Sequence, residues 1–354
     1  MNYMAKIRLR RSKNAKHESF RLKTSIYLAT SKLSIMSLFF RKNTFYLLIL
    51  FAFSSCDAQV KTSPNDSFEQ STQPEQFGEY WYSGKAELNH FDLTQIRYGE
   101  KRNGDAVLIY VTEDFLPEKQ VKKEFGDEAG VSVLKLNYMK KFITGIYDYS
   151  IMTSIFTPID YRKYPQTLKF TFSSQDWCGQ IFAQMNMRNG KLNYEQRSYF
   201  QAEGDLNQAL DATYVEEDVW TRIRLEPQML PLGKVKMIPS QEFLRLHHKE
   251  LKAYDAQATL VLQVNDVKSG AEKEFYVYSI TYPELDRVLK ISCQSVFPFK
   301  IIGWEETTNF KNPSKSKTTI AKQRTTEMLP YWELNKNENQ SLRDSLGIKF
   351  KIVD

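Results

Sequence analysis

Alternation of apolar and polar residues is the feature of this sequence that most constrains its fold. It is clearest in residues 252–264 (KAYDAQATLVLQV), and the same pattern recurs in residues 131–142 and 274–282. Successive side chains of an extended strand point to opposite faces, so alternation predicts strands with one buried face. In 252–264 the apolar face carries Tyr254, Ala256, Ala258, Leu260, Leu262 and Val264.

Turn residues separate these alternating runs at hairpin spacing. Arg188, Asn189, Gly190 and Lys191 lie between AQMNM and LNYEQRSYF. Asn-Gly between alternating runs is the strongest short-range hairpin signal, so the two runs are predicted to pair antiparallel. Residues 80–85 also alternate, and we read them as the beginning of the folded domain near Phe77.

A helical period is rare in this chain. Residues 213–224 place Val215, Val219 and Ile223 on one face with three acidic residues near the start, which predicts a helix. Residues 339–347 predict a short terminal helix that ends at Gly347. We read the ambiguous segment 240–251 (SQEFLRLHHKEL) as a strand.

About a dozen strands without a repeated strand-helix alternation predict a mainly β protein. The expected architecture is a large antiparallel sheet, curved or closed into part of a barrel, with one or two short helices. Lys and Glu are frequent along the strands, which disfavours a transmembrane barrel with a lipid-facing surface.

The segment Met36–Cys56 has the pattern of a secretory signal peptide. Arg41 and Lys42 precede an apolar run from Phe45 to Phe53, and small residues lead to Cys56. The run is shorter than the roughly 20 residues that a membrane-spanning helix needs. A cysteine at the cleavage point resembles the lipobox of bacterial lipoproteins, although Phe53 departs from the usual aliphatic residue. The resemblance implies lipidation at Cys56 and an outer-membrane location, on the periplasmic face or the cell surface.

These features divide the chain into four parts. Residues 1–35 form a basic extension that we expect to be absent from the mature protein, with Met1 and Met36 both open as the start. Residues 36–55 are the signal peptide, and residues 56–76 are the lipidated cysteine with a tether rich in Ser, Gln and Pro. Residues 77–354 form the predicted antiparallel β domain.

The positive net charge of +7 comes from the N-terminus. Residues 1–42 hold eleven of the 49 Lys and Arg residues and one of the 42 Asp and Glu residues, so 38 basic and 41 acidic residues follow. The mature chain is therefore mildly acidic, and no nucleic-acid partner is expected. A basic arm for anionic lipid or nucleic acid remains an alternative for residues 1–35.

Residues with catalytic chemistry are few. Cys178, in Trp177-Cys178-Gly179, has no cation nearby in sequence to hold a thiolate, and a packed bend is the alternative interpretation. His247 is followed by His248, Lys249 and Glu250, but this segment lacks the H-E-x-x-H spacing of a zinc site. We predict no metal and no cofactor. A disulfide between Cys178 and Cys293 stays open.

An apolar stripe offers a candidate binding surface. Residues 252–264 and 274–282 are predicted to form a hairpin in which small and aromatic side chains face one another. These side chains, with Trp177, could line a cavity for a hydrophobic ligand. The alternative is that the stripe is a filled core. The candidate residues are Tyr254, Ala256, Ala258, Tyr276, Tyr278, Tyr282 and Trp177.

Several segments resemble a family of lipoproteins from Bacteroidota that is often labelled septum formation inhibitor Maf. They are residues 79–100, VLIYVTEDFLP, GIYDYSIMTSIFTP, QDWCGQIFAQMN, VWTRIR and FLRLHHKELKAYDA. Maf pyrophosphatases have an S-x-x-R-R-x-L-L type motif on an α/β fold, and this chain has neither, so the label is a misassignment. The resemblance implies a lipoprotein and carries no activity over to any residue.

Three functions are compatible with these observations. The first is a non-enzymatic, lipid-anchored envelope protein that binds an apolar ligand or an envelope protein. The second is an envelope hydrolase that uses Cys178 or His247, and the third is a structural envelope component.

Overall fold

The structure, a computed structural model, describes residues 75–266 and 272–348. The predicted signal peptide, the lipidation site Cys56 and the tether up to residue 74 lie outside the described residues. Predictions about them are therefore not tested by the fold.

Sixteen strands within the described residues form one sheet, which confirms the prediction of a large, mainly antiparallel, curved sheet. The first half of the chain supplies β1 Ala86–Arg97, β2 Glu100–Leu116, β3 Val121–Lys122, β4 Val131–Thr144, β5 Tyr147–Pro158, β6 Lys169–Asp176, β7 Gly179–Arg188, β8 Lys191–Ser198 and β9 Leu206–Asp211. The second half supplies β10 Tyr214–Val215, β11 Gly233–Ile238, β12 Tyr254–Asp266, β13 Glu272–Tyr282, β14 Arg287–Gln294, β15 Ile301–Thr308 and β16 Lys317–Leu329.

The strand order begins in the middle of the sheet. From β1 the chain meanders outward to β9 at one edge, starts again with β10 at the other edge, and returns strand by strand until β16 pairs with β1. The short strand β3 pairs only with β2, and the pairing of β10 with β11 is parallel. The predicted hairpin at Asn189-Gly190 is confirmed as the connection between β7 and β8.

The two edges of the sheet lie close together because two residues join them. β9 ends at Asp211 and β10 begins at Tyr214, and three Cα steps span at most about 11 Å. The sheet therefore curls back on itself, but no ladder of hydrogen bonds closes it between these strands.

Four short α-helices accompany the sheet in the described residues, where the sequence predicted one or two. They are α1 Glu75–Trp81, α2 Glu216–Leu225, α3 Gln241–Leu246 and α4 Leu342–Ser345, with 3₁₀ turns at Pro227–Met229, Tyr331–Glu333 and Asn337–Asn339.

Two of these helices correct the sequence interpretation. The alternation in residues 80–85 does not form a strand. Residues 80 and 81 end α1, which buries Phe77 and Trp81 on one helical face, and residues 82–85 form a turn. The reading of SQEFLRLHHKEL as a strand was wrong. Ser240 caps α3 by accepting a hydrogen bond from the Phe243 amide, and Phe243, Leu244 and Leu246 are buried.

The two faces of the sheet differ in what covers them. The inner face carries the main core and wraps around α2, whose Val219, Trp220 and Ile223 pack among aromatic residues of the strands. The outer face carries a smaller cluster in which Ala86, Leu88 and Val111 pack against Leu346 from the C-terminal segment. Residues 330–348, here called the strap, therefore cover part of the outer face.

Candidate ligand-binding site

A cavity lies between the strap and the outer face of the sheet. It has a volume of about 370 Å³ and is lined from strands β1, β2, β4 and β16 on one side and from the strap on the other. The lining residues are Leu88, Asp105, Val107, Ile109, Met139, Lys141, Leu329, Tyr331, Leu334, Asn339, Leu342, Arg343, Leu346 and Ile348.

Strand register explains why apolar residues meet on this face. Val107 is the direct partner of Met139, and Leu88 is the direct partner of Ile109. Directly paired residues share a face, so these four side chains form a continuous apolar floor. The inner-face neighbours Ala106 and Leu108 belong to the main core instead.

The strap is fixed at its C-terminal end. The Thr325 hydroxyl donates to the Leu346 carbonyl oxygen at 2.8 Å, and the Ile348 amide donates to the Arg343 carbonyl oxygen at 2.9 Å. Gly347 has φ +74°, the conformation in which glycine ends a helix, as the sequence predicted. A Cβ at Gly347 would lie 3.0 Å from His90 Nδ1, so the strap approaches the sheet closely there.

The stripe predicted from the sequence is on the other face, in the main core. Tyr254, Ala256, Ala258, Tyr278 and Tyr282 are buried, and Tyr276 is partly buried against the same core. The tyrosine hydroxyls are satisfied inside the protein, since Tyr278 donates to the Pro231 carbonyl and Tyr282 donates to Glu216. These residues correspond to the filled-core alternative. The same stripe ends at Leu262 and Val264, which are 46% and 51% exposed.

Trp177 lies apart from that core, in the tight turn between β6 and β7. Its side chain is 70% exposed, and its indole N–H donates to Asp148 Oδ1 at 3.2 Å. The turn brings it to 6.4 Å from the Tyr147 ring, between ring centroids.

Cys178 follows Trp177 in the turn and borders an open groove of about 450 Å³ with Phe182 and Tyr199. Partial desolvation and the adjacent Asp176 carboxylate raise the pKa of the Cys178 thiol, which disfavours a thiolate. Cys178 and Cys293 are both free, with Cys178 exposed and Cys293 buried in the core, so the disulfide left open by the sequence is not formed.

His247 ends α3 and stacks on the Phe243 ring, with 4.5 Å between ring centroids. Desolvation lowers the pKa of His247. The neighbouring His248 places Nδ1 3.0 Å from Glu203 Oε1. In residues 75–266 and 272–348, no three His, Cys, Asp or Glu side chains are grouped as a metal site would require.

The interior holds a set of ion pairs that sequence reasoning missed. Arg224 of α2 binds Glu87 of β1, and the distance from Arg224 Nη2 to Glu87 Oε2 is 2.7 Å with both side chains fully buried. Burial opposes ionisation of Glu87, but the Arg224 guanidinium outweighs it and holds the pKa of that carboxyl below its usual range. The Tyr80 hydroxyl also donates to Glu87.

A second buried group surrounds Arg287 of β14. Its guanidinium binds Glu216 of α2 and Glu306 of β15, each at 2.6 Å or less. The three acidic residues that the sequence places at the start of α2, Glu216, Glu217 and Asp218, are buried. Acidic residues at a helix start carry no signal that tells burial from exposure, because the partners of Glu216 and Asp218, Arg287 and Thr157, are distant in sequence.

Glu217 is the least satisfied member of this interior set. Its Oε1 accepts a hydrogen bond from the Gln241 amide at 2.6 Å, whereas Oε2 has no partner among the described residues. Desolvation raises the pKa of Glu217 to about 8. Glu217 and Tyr138 line an internal cavity of about 30 Å³, which suffices for ordered water but not for an organic ligand.

Comparisons with known proteins leave the family open. A scan against protein families finds no match, and a search of curated proteins also finds none. Among solved structures, the chain is similar to the β-barrel-like protein of the domain of unknown function DUF1849 from Brucella abortus. The TM-score is 0.42 and the identity 8%, over 69% of this chain and 98% of that chain. A match at this score supports no functional inference.

Among residues 75–266 and 272–348, no helix has the length and apolar character required to cross a bilayer.

Proposed function

We propose that this protein is a non-enzymatic, lipid-anchored envelope protein whose outer-face cavity binds an apolar ligand. The observation that carries the proposal is the cavity of about 370 Å³ between the strap and strands β1, β2, β4 and β16. Its volume falls within the range of about 300–1,000 Å³ that is usual for small-molecule sites.

The lining of the cavity favours an apolar occupant. Leu, Ile, Val and Met side chains make up most of it, and polar groups are a minority. Transfer of apolar surface from water into such a lining is favourable by roughly 25 cal/mol per Å². The alternative site that the sequence suggested, around Tyr254 and Tyr282, is occupied by the protein's own side chains.

Binding is favoured over catalysis by the state of the candidate nucleophile. The raised pKa of the Cys178 thiol disfavours the thiolate that nucleophilic attack requires. The lipid anchor rests on the Met36–Cys56 pattern and on the resemblance to Bacteroidota lipoproteins.

The proposal is tested by native mass spectrometry of the protein purified in mild detergent. Met139→Trp places a larger side chain in the cavity, and Met152→Trp makes the same change on the paired position of β5, which does not line the cavity. We expect a co-purifying apolar molecule on the wild type and on Met152→Trp, and at least a tenfold loss of that molecule on Met139→Trp.

Two results would contradict the proposal. One is a wild-type protein that carries no apolar molecule and binds none when offered dodecanol. The other is equal ligand occupancy in Met139→Trp and Met152→Trp, which would place the ligand elsewhere.

A further inference from the structure

Apolar side chains are exposed at one end of the sheet, where the apolar stripe of β12 runs past the core. Leu262 and Val264 belong to this stripe, and each is about half exposed. Met229 and Leu232, in the segment that leads from α2 to β11, are about half exposed as well. These four residues are here called the end patch.

Two hydrogen bonds place the two parts of the end patch side by side. Gln228 Nε2 donates to the Tyr276 hydroxyl at 3.1 Å, and the Tyr278 hydroxyl donates to the Pro231 carbonyl oxygen at 2.8 Å. The segment between α2 and β11 therefore crosses the inner face of β13. Leu262 is the direct partner of Tyr276, so its side chain lies on that same face.

The N-terminal helix lies at the same end of the sheet. β1 directly follows α1, and the antiparallel order from β1 through β16 to β12 places the start of β1 and the end of β12 together. The loop between β14 and β15 contacts both elements. Ser295 Oγ donates to the Glu274 carbonyl oxygen on β13 at 3.2 Å, and the Phe297 ring centroid lies 6.0 Å from that of Phe77 in α1. The chain that leads from Cys56 thus enters the domain at the end that carries the end patch.

Exposed aromatic residues at the opposite end of the sheet differ from the end patch. There the Trp177 indole N–H donates to Asp148, and the Tyr98 and Tyr149 hydroxyl oxygens are 2.8 Å apart. The Leu, Val and Met side chains of the end patch have no N–H or O–H group to pair. Their exposure to water is unfavourable, and an exposed apolar patch is typical of a surface that meets a membrane or another protein.

We infer that the end patch rests on the surface of the membrane that holds the Cys56 anchor. This inference relies on the anchor of the proposed function and adds the orientation of the domain on the bilayer. The boundary between head groups and acyl chains accommodates apolar side chains, and binding strengthens with the apolar area that is buried there. Because the anchor keeps the domain close to the bilayer, a small patch is sufficient.

The inference is tested by fluorescence of the full-length, lipidated protein in vesicles of phosphatidylethanolamine and phosphatidylglycerol. The polarity-sensitive dye NBD is attached at Val296→Cys or at Ile146→Cys in a Cys178→Ser background, in which the remaining thiol of the domain, Cys293, is buried. Val296 lies in the loop between β14 and β15 beside the end patch, and Ile146 lies in the turn between β4 and β5 at the opposite end. We expect a blue-shifted emission at position 296 and several-fold stronger quenching by 5-doxyl phosphatidylcholine than at position 146.

Polar substitutions assign the contact to the end patch. The double variant Leu232→Gln, Leu262→Gln should reduce the quenching at position 296 several-fold, because the polar amides oppose burial among acyl chains. Ile143→Gln, at an exposed position of β4 near the opposite end of the sheet, is the matched control and should retain the quenching. Near-UV circular dichroism checks that each variant is folded.

The outcomes separate this inference from the proposed function. If the protein does not stay with the vesicles, the anchor fails and the docking fails with it. If the protein stays but position 296 is quenched no more than position 146, the anchor stands and the docking is contradicted. Equal quenching in the double variant and the wild type would exclude the end patch as the contact. An emission shift at position 296 that depends on protein concentration in detergent without vesicles would show that a second copy of the chain covers the patch, contrary to this inference.

Discussion

At the scale of single residues, the ionisable side chains around α2 determine how stability depends on pH. Glu87 and Glu306 are paired with arginines, and despite the opposing effect of burial these guanidinium groups lower the pKa of both carboxyls. Glu217 behaves in the opposite way, because burial without a full set of hydrogen bonds raises its pKa to about 8. Removing the Glu217 charge should therefore be favourable at high pH.

We predict that Glu217→Gln stabilises the protein above pH 8 and has little effect near pH 4.5. Between these values the unfolded chain loses the Glu217 proton while the folded protein keeps it, so the free energy of unfolding of the wild type falls as pH rises. Gln cannot ionise and still accepts the Gln241 amide. The difference between variant and wild type should grow to about 5 kcal/mol at pH 9.

Urea unfolding at a series of pH values measures this difference. Glu79→Gln, on the exposed side of α1, provides the control and should give a nearly constant difference across the same range. A pH-independent effect of Glu217→Gln would show that Glu217 ionises normally in the folded protein.

At the scale of secondary-structure elements, the pairing of β2 with β4 requires a glycine. Gly104 is paired with Phe142, and a Cβ at Gly104 would lie 2.3 Å from the Lys141 carbonyl oxygen and 2.7 Å from Phe142 Cβ. Backbone atoms cannot move aside as a flexible side chain can. The same two strands supply Val107 and Met139 to the cavity floor, so strain at Gly104 would also affect the candidate site.

We predict that Gly104→Ala lowers the free energy of unfolding by about 1–3 kcal/mol through overpacking. Gly78→Ala, within α1, is the matched control. The added Cβ would meet only Tyr82 Cδ2, at 3.9 Å, and Ala stabilises a helix better than Gly does. Chemical denaturation compares the two variants. Equal unfolding midpoints would mean that the strands can separate locally at no cost.

At the scale of the whole molecule, the described domain is one curled, open sheet that wraps around α2. Residues of this helix bind β1 through Arg224, β5 through Asp218, and β13 and β14 through Glu216, so α2 joins both halves of the sheet. The strap adds a second, smaller layer on the outer face. The predicted anchor at Cys56 precedes this domain in the chain.

We predict that Cys56 is acylated in a bacterial host that processes lipoproteins. Wild-type protein should incorporate labelled palmitate and fractionate with membranes, whereas Cys56→Ala should lose the label and most of the membrane association. Cys178→Ala removes an exposed thiol of the folded domain and should retain both. Label on the Cys56→Ala protein, or none on the wild type, would exclude the anchor.

Local patterns determined the strands and their neighbours. The alternation in residues 252–264 was sufficient to predict β12, and the Asn189-Gly190 turn was sufficient to predict the pairing of β7 with β8. A strand's buried face and a hairpin's register depend on residues that are close in sequence. The cavity and the ion pairs were decided by tertiary structure. The pairing of Ala86 with Leu329 and the contact of Glu87 with Arg224 join residues more than a hundred positions apart, and periodicity gives the face of a side chain but not its distant partner.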